Sequence, residues 1–382
     1  MRILVATIDY PPIEGGISTV SRCVARELAN LGHEVTVVAP FFPGMEDFDQ
    51  NEPVTVVRFR GYRLGWFRFA PFLRACWPHL RRADAVFAMN VAYGGVLGLL
   101  ARRLRPRPYV AFAYGYEFLK FQGWPLVARL LRRVYRRAAA VIAISRFTRG
   151  RLLEFGVPPS AVSVVLPGAP GPPTVSENDL EEVRHRFVLD GRNGGTPPRV
   201  ILAVGRFVRR KGHLTLVRAL PQILERHPES ILVLVGRGPE MSVVAKTAWK
   251  LGVRDHVLLP GSVSDGDVQA LYRICDVFAL PTGNAAKGHV EGFGLVFAEA
   301  AAHGKPVVAG RSGGVEDAVL DEETGLLVEP DDPEALADAI LRLLDDPGLA
   351  CRVGENARRR VERELNWATF TRRVLEELGS GS

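Results

Sequence analysis

Two glutamates, Glu291 and Glu299, stand eight positions apart on either side of a glycine-flanked bend in the run VEGFGLVFAE. The apolar pattern after the bend predicts a helix that begins near Gly294, whose free N–H groups would point back at the bend and attract phosphate. Glu299 would lie just over one turn into this helix, and Glu291 would precede it in the loop. Two fixed carboxylates beside an anion site suit a ligand with both hydroxyls and phosphate, such as a sugar nucleotide. The alternative is an ordinary strand-to-helix loop with two solvated acids.

Basic residues follow another predicted strand, Val200–Val204, in the run GRFVRRKGH. Open α/β sheets bind ligands beside the carboxyl ends of their strands, and this run begins at such an end. Arg206 offers a planar fork for phosphate oxygens, and Lys211 adds a compact point charge. Arg209 and Arg210 fit a solvated basic turn equally well. The run therefore predicts a second part of an anion site.

A pair of glycines, Gly15 and Gly16, follows the N-terminal predicted strand in the run DYPPIEGG. Paired glycines let the backbone approach a ligand closely and present bare N–H groups. Taken alone, such a pair is most often only a turn. Taken with the other two segments, it indicates one site built from three distant parts of the chain.

In this combination the chain resembles the family 4 retaining glycosyltransferases of the GT-B fold, over essentially its whole length. The motifs that carry the resemblance occur in the family's order: GRFVRRKGH, LVLVGRGPE, VEGFGLVFAEAAAHGKPVVAG, SGGVEDAV and TGLLVEPDDPEALADAI. Within the family it is most similar to bacterial phosphatidylinositol-mannoside mannosyltransferases, through YPPIEGGIST and the long PTGNAAKGHVEGFG loop. The resemblance implies an α/β fold of two Rossmann-like, doubly wound parallel-sheet domains that face a cleft, with a C-terminal helix that crosses back to the first domain.

The resemblance also implies a reaction, the retaining transfer of a hexose from a nucleotide sugar to a lipid-linked or other anionic acceptor. The first expectation is mannose from GDP-mannose, with no metal and no cofactor, because Arg206 and Lys211 would neutralise the diphosphate. Glu291 would be the third catalytic residue by orienting the hydroxyls of the sugar, and Glu299 would bind the ribose diol. The acceptor would attack from the leaving-group face, so no protein nucleophile is assigned. The other donor-binding candidates are Gly15, Gly16, Tyr114, Phe293, Gly294 and Leu295.

One position departs from the family's pattern. Members usually have His-Gly after the strand that corresponds to Tyr109–Ala113, and this chain has Tyr114 there. A tyrosine hydroxyl can donate to a sugar or phosphate oxygen, but the side chain is bulkier and essentially neutral at pH 7. Three alternatives therefore stay open: a glycosyltransferase with a small soluble acceptor, a sugar-nucleotide epimerase, and a catalytically silent GT-B protein that binds a nucleotide sugar.

A chain of 382 residues suits two domains. Short apolar strands that alternate with helical patterns predict parallel sheets wound right-handedly, here twice. We expect a first domain over 1–168 completed by a C-terminal helix at 362–379, a linker at 169–198, and a second domain over 199–361. The predicted strands are Ile3–Ile8, Glu34–Ala39, Val54–Phe59, Ala85–Ala88, Tyr109–Ala113, Ala140–Ile144, Ser163–Leu166, Val200–Val204, Ile231–Val235, Val257–Leu259, Val277–Leu280, Pro306–Ala309 and Leu326–Val328.

Basic residues are concentrated in the first half. Residues 1–170 contain 23 of the 49 Lys+Arg and only 11 of the 42 Asp+Glu, a formal charge of +12, and the remainder is at −5. Within 118–153, a stretch without acids, apolar residues at 126, 127, 130, 131 and 134 fall on one helical face and arginines on the other. Such segments are typical of elements that lie on an anionic membrane surface, although the apolar face fits a core-facing helix equally well. No nucleic-acid-binding motif accompanies the basic residues, and nucleic acid is not an expected partner.

The four cysteines are widely scattered and have no metal-binding spacing, which favours a reducing compartment. No apolar run reaches transmembrane length, and the first residues already form a strand pattern. We expect a cytoplasmic protein that associates peripherally with the inner face of the membrane.

Overall fold

The computed structural model describes residues 1–62, 65–104, 107–172, 175–187, 189, 197–283 and 290–380. The chain forms two compact units, one of Met1–Pro167 with Trp367–Ser382 and one of Gly168–Asn366. Each unit is a parallel sheet covered by helices, so the fold class expected from the sequence is confirmed.

The first unit has a seven-stranded sheet in the order β3-β2-β1-β4-β5-β6-β7, in which every pairing is parallel. Its central strands are buried on both faces, as helices on both sides require. The order reverses between β1 and β4, which makes the carboxyl ends of these two strands the switch point where α/β sheets bind ligands. The strands are β1 (Arg2–Ala6), β2 (Glu34–Pro40), β3 (Thr55–Phe59), β4 (Ala85–Ala88), β5 (Tyr109–Ala113), β6 (Ala140–Ala143) and β7 (Val162–Val164).

Eight helices belong to the first unit where it is described. They are α1 (Gly16–Asn30), α2 (Glu46–Gln50), α3 (Phe69–Leu80), α4 (Val96–Leu104), α5 (Tyr116–Leu119), α6 (Pro125–Arg137), α7 (Arg146–Glu154) and the C-terminal α16 (Trp367–Ser380). The last helix returns to this unit, as the sequence predicts. Phe370 packs its ring 6.3 Å from that of Phe112 on β5, and Ser163 on β7 donates a hydrogen bond of 2.6 Å to Glu377.

The second unit has a six-stranded parallel sheet in the order β10-β9-β8-β11-β12-β13. Its strands are β8 (Val200–Val204), β9 (Ile231–Val235), β10 (Val257–Gly261), β11 (Val277–Leu280), β12 (Val307–Gly310) and β13 (Leu326–Val328). Its described α-helices are α8 (Glu177–Arg186), α9 (His213–Arg226), α10 (Met241–Lys250), α11 (Asp265–Ile274), α12 (Leu295–Ala302), α13 (Val315–Ala318), α14 (Pro333–Asp345) and α15 (Pro347–Arg363). Here too the order reverses beside the first strand of the unit, between β8 and β11.

The stretch expected to be a linker, 169–198, contains α8. Ser176 and Asp179 form a reciprocal capping box at its start, and Leu180 and Val183 are buried. Arg186 at its end binds Asp267 of α11 through two hydrogen bonds of 2.8 and 3.0 Å. This helix is therefore part of the second unit, whereas the glycine-rich tract at 190–196 lies outside the described residues.

Candidate functional site

The loops that follow β8 and β11 meet at the carboxyl edge of the second sheet. The N–H of Gly283 donates to the carbonyl of Arg210 at 2.8 Å. Gly212 has a left-handed backbone, and a Cβ there would collide with the carbonyl of Pro281, so the two loops can approach this closely only with glycine at 212. The loop after β12 joins them, because Gly314 donates to the carbonyl of Glu291 at 2.8 Å. The sequence-predicted residues of this unit are thus on three neighbouring strands' loops.

Glu291 and Lys211, two of the predicted catalytic residues, are in direct contact. Oε2 of Glu291 lies 2.8 Å from Nζ of Lys211 and also accepts a hydrogen bond from Nη1 of Arg210. Burial alone would raise the pKa of Glu291, but the two cations outweigh it and lower this pKa to about 2. The carboxylate is therefore ionised at neutral pH. Arg210, which the sequence left as a possible solvated turn, is part of the cluster.

Arg206 begins the same loop but is exposed. Within the described residues its guanidinium makes no ion pair. An unpaired guanidinium at the carboxyl end of a parallel strand is available to bind an anion bidentately.

The predicted helix at 294 is α12, and Gly294 is its N-cap with a left-handed backbone at φ 89°. A Cβ at this position would come 2.5 Å from the Phe297 ring, so glycine is required for two independent reasons. No described side chain caps the helix. The first N–H groups, including that of Leu295, are consequently free to bind a phosphate, while the Phe293 side chain is buried and fixes the bend.

Glu299 lies one turn into α12 and accepts a hydrogen bond of 2.9 Å from the hydroxyl of Tyr272 on α11. Burial raises the pKa of Glu299 above its ordinary value, and the Tyr272 hydroxyl and the Lys211 charge act in the opposite direction. The sequence gave no signal for Tyr272, since a contact between two helices does not appear as a local pattern.

The glycine pair of the first unit lies where β1 leads into α1. Gly15 is the N-cap of α1 at φ 148°, and Gly16 is the first residue of the helix. A Cβ at Gly15 would meet nothing within 4 Å, so the need for glycine there comes from the backbone conformation. The backbone beside this pair is accordingly open to a ligand, and its role toward a donor stays a prediction.

Tyr114, also of the first unit, has a buried hydroxyl with no hydrogen-bond partner among the described residues. Its N–H donates to Oε1 of Glu117 at 2.7 Å, and burial raises the pKa of its hydroxyl well above the ordinary value. The hydroxyl thus faces the interior in this structure. Its expected contact with a donor sugar also stays a prediction.

An acid that sequence reasoning missed stands at the switch point of the first sheet. Asp9 follows β1, and its Oδ2 accepts a hydrogen bond of 2.7 Å from Asn90, which follows β4. Asn90 in turn accepts from the N–H of Ile8 at 2.8 Å. Burial raises the pKa of Asp9. The position of these residues just beyond two adjacent strands was the signal that could have identified them.

Two other features were sought. Across the described ranges, no group of three or more His, Cys, Asp or Glu is arranged to hold a metal ion. No helix in the described part of the chain combines the length and apolar character that crossing a bilayer requires.

Two doubly wound α/β units, with cations, an ionised glutamate and an uncapped helix N-terminus at the carboxyl edge of the second sheet, define a glycosyltransferase of the GT-B type. The model for "Glycosyl transferases group 1" matches residues 192–360, and the model for "Glycosyltransferase Family 4" matches residues 14–170. The chain belongs to glycosyltransferase family 4, and the protein is an enzyme of the hexosyltransferase class.

Relatives of known name align over nearly the whole chain. A GDP-mannose-dependent alpha-(1-6)-phosphatidylinositol monomannoside mannosyltransferase of Mycolicibacterium smegmatis is 33% identical over 98% of this chain and 98% of its own length. A GDP-mannose-dependent enzyme of Corynebacterium glutamicum, which acts on a monoacylated form of that monomannoside, is 28% identical over 99% and 98%. Among solved structures, Anabaena HepE in complex with UDP and glucose superposes with a TM-score of 0.82 at 22% identity, with full coverage of both chains. That last likeness establishes the fold alone.

Proposed function

We propose that this enzyme is a retaining mannosyltransferase that moves mannose from GDP-mannose to a lipid-linked, anionic acceptor at a membrane surface, without a metal ion. The observation that carries the proposal is the cluster of Lys211, Arg210 and Glu291 beside the exposed Arg206 and the uncapped start of α12. The relatives named above, which use GDP-mannose and phosphatidylinositol mannosides, support the choice of sugar, base and acceptor class.

Negative charge builds on the diphosphate as the bond to the sugar breaks. Arg206 and Lys211 lie on one short loop and supply two positive charges for it, and the first N–H groups of α12 add dipoles of the same sign. These groups are fixed before the donor binds, so little reorganisation is needed during the reaction. Stabilisation of this kind is the part of the catalysis that a metal ion supplies in other transferases.

Glu291 is the acceptor for hydroxyls of the transferred sugar. Because its pKa is about 2, it is a carboxylate at every working pH and can accept hydrogen bonds from hydroxyl groups. Lys211 holds it through Oε2 at 2.8 Å, so one lysine connects the sugar site to the phosphate site. We assign no covalent intermediate, and in the proposed front-face reaction the departing phosphate receives the proton of the acceptor hydroxyl.

The first unit is proposed to dock on an anionic membrane through α6. The apolar residues of this helix divide: Leu131 and Val134 are in the core, whereas Leu126 is 77% exposed, Leu130 is 41% exposed and the preceding Trp124 is 58% exposed. The exposed positions at 126, 129, 130, 133 and 137 lie on one face of the helix and include three arginines. An exposed face that combines leucine, tryptophan and arginine suits a lipid surface.

Radiolabelled GDP-mannose, incubated with phosphatidylinositol and its mannosides in the presence and absence of a chelator, tests the transfer. The proposal expects a mannolipid whose α-configuration is retained, in equal yield with the chelator. A product with inverted configuration or a requirement for a divalent ion contradicts the mechanism. Transfer only to soluble sugars, epimerised donor, or tight donor binding without turnover would each replace the proposed reaction with one of the alternatives left open by the sequence.

Sedimentation with vesicles of phosphatidylglycerol and phosphatidylcholine tests the docking face. Each basic residue near an anionic surface contributes about 1 kcal/mol, so binding should be strong at low salt and fall steeply at high salt. The triple variant Trp124→Ser, Leu126→Ser, Leu130→Ser should lose most of it, whereas the control Trp249→Ser, at a position 69% exposed on the second unit, should not. Equal loss in both variants, or no binding at low salt, contradicts docking through α6.

A further inference from the structure

Tyr272 touches the donor site only through another residue. It lies on α11, its side chain is fully buried, and its hydroxyl donates to Oε2 of Glu299 at 2.9 Å. Among the described residues, no other group donates a hydrogen bond to this carboxylate. Glu299 itself is half-buried, so one side of its carboxylate faces the protein and the other is accessible.

The Tyr272 ring has little freedom to move. It packs 5.6 Å from the Phe278 ring and lies nearly parallel to the His303 ring at 5.7 Å between centroids. Nε2 of His303, at the end of α12, lies 2.8 Å from Oε1 of Gln269 on α11. Burial lowers the pKa of His303 to about 4, so the ring is neutral at pH 7 and its Nε2–H is the donor in this bond. Two polar contacts therefore join α11 to α12, and they give the Tyr272 hydroxyl a fixed direction.

A carboxylate that binds a vicinal diol must be ionised and must present its oxygens in one plane. A carboxylate on a free rotamer loses side-chain entropy when it binds, and a carboxylate held in advance does not. The Tyr272 hydroxyl supplies both requirements, because a donor at 2.9 Å favours the ionised form and restrains rotation about the last side-chain bond.

We propose that Tyr272 is a positioning residue for the donor nucleotide: its hydroxyl orients Glu299 so that the carboxylate accepts the two ribose hydroxyls. This inference rests on the proposed function, in which Glu299 binds the ribose. Tyr272 makes no contact with the nucleotide in this scheme. It sets the preference of the site for a ribose over a sugar that lacks both hydroxyls.

Calorimetric titration with GDP and with 2′,3′-dideoxy-GDP tests the proposal, since the ratio of the two affinities isolates the ribose contact from folding and from phosphate binding. The wild-type protein should prefer GDP by roughly tenfold or more, as expected when hydrogen bonds to a charged group are lost. Glu299→Gln should abolish most of this preference. Tyr272→Phe should reduce it by roughly three- to tenfold and leave the affinity for the dideoxy nucleotide unchanged, and the double variant should match Glu299→Gln.

The matched control is Tyr109→Phe, which also removes a buried tyrosine hydroxyl, one that donates to the carbonyl of Val134 in the first unit. It should keep the wild-type preference. If Tyr272→Phe weakens both nucleotides equally, or keeps the full preference while Glu299→Gln loses it, Tyr272 is only a structural residue and the inference is wrong although the ribose site stands. If Glu299→Gln keeps the preference as well, the assignment of Glu299 to the ribose fails and the inference fails with it.

Discussion

Replacement of Glu291 by glutamine should remove a pH-dependent part of the stability of the second unit. In the wild-type protein Lys211 at 2.8 Å and Arg210 hold the Glu291 pKa at about 2, against an ordinary value of 4.5. A shift of that size corresponds to roughly 3 kcal/mol at neutral pH, as an upper limit. Glutamine cannot titrate, so the Glu291→Gln protein lacks this contribution at every pH.

The sign of the effect follows from the direction of the shift. Because the folded-state pKa is depressed, the stabilisation is fully present above about pH 4.5 and is lost as the pH falls through 2. The difference in unfolding free energy between wild type and Glu291→Gln should therefore shrink from about 3 kcal/mol at pH 7 to about 1 kcal/mol at pH 3.

Urea unfolding at pH 7, 4 and 3, followed by hydrogen exchange of amides in the second unit, measures this difference. The matched control is Glu322→Gln, in an exposed pair with Arg342 at 2.9 Å, which should change stability by less than about 1 kcal/mol. A gap between wild type and Glu291→Gln that is constant from pH 7 to pH 3, or one no larger than that of the control, would refute the ionised cluster.

Three further predictions concern single side chains. Arg206→Ala should lower kcat by about a hundredfold, as loss of one pre-organised charge does, with an unchanged melting temperature because the residue is exposed; equal kcat in a steady-state assay would remove Arg206 from catalysis. Gly294→Ala should lose about 1–3 kcal/mol from its backbone strain and its collision with Phe297, measurable by urea unfolding, and a wild-type value would show that the bend is not constrained. Tyr114→Phe removes a buried hydroxyl without a described partner and should leave stability equal or higher and the donor KM unchanged; a raised KM in initial-rate assays would show that the hydroxyl turns toward the donor.

Much of the fold was predictable from local patterns. Short apolar runs between helical patterns placed the strands of both sheets, and β5, β8, β9 and β11 begin and end where the sequence predicts. The α12 helix was predictable as well, because Gly294 and the apolar run after it are adjacent in the chain. The sequence Ser-x-x-Asp before α8 was a local signal that the expected linker contains a helix.

The parts that could not be predicted depend on contacts between elements. Arg209 and Arg210 are identical side chains in one turn, and only the packing of the two loops brings Arg210 to Glu291. The apolar residues of α6 look alike in sequence, and only the packed structure separates the buried Leu131 from the exposed Leu126. The bond from Tyr272 to Glu299 joins two helices 27 positions apart for the same reason.

A crystal structure of the protein with GDP tests the central claim most directly. The account predicts a diphosphate within hydrogen-bond distance of the Arg206 guanidinium, the Lys211 ammonium and the first N–H groups of α12, with the ribose hydroxyls on Glu299. A nucleotide bound elsewhere, or one whose phosphates contact neither Arg206 nor Lys211, would contradict it.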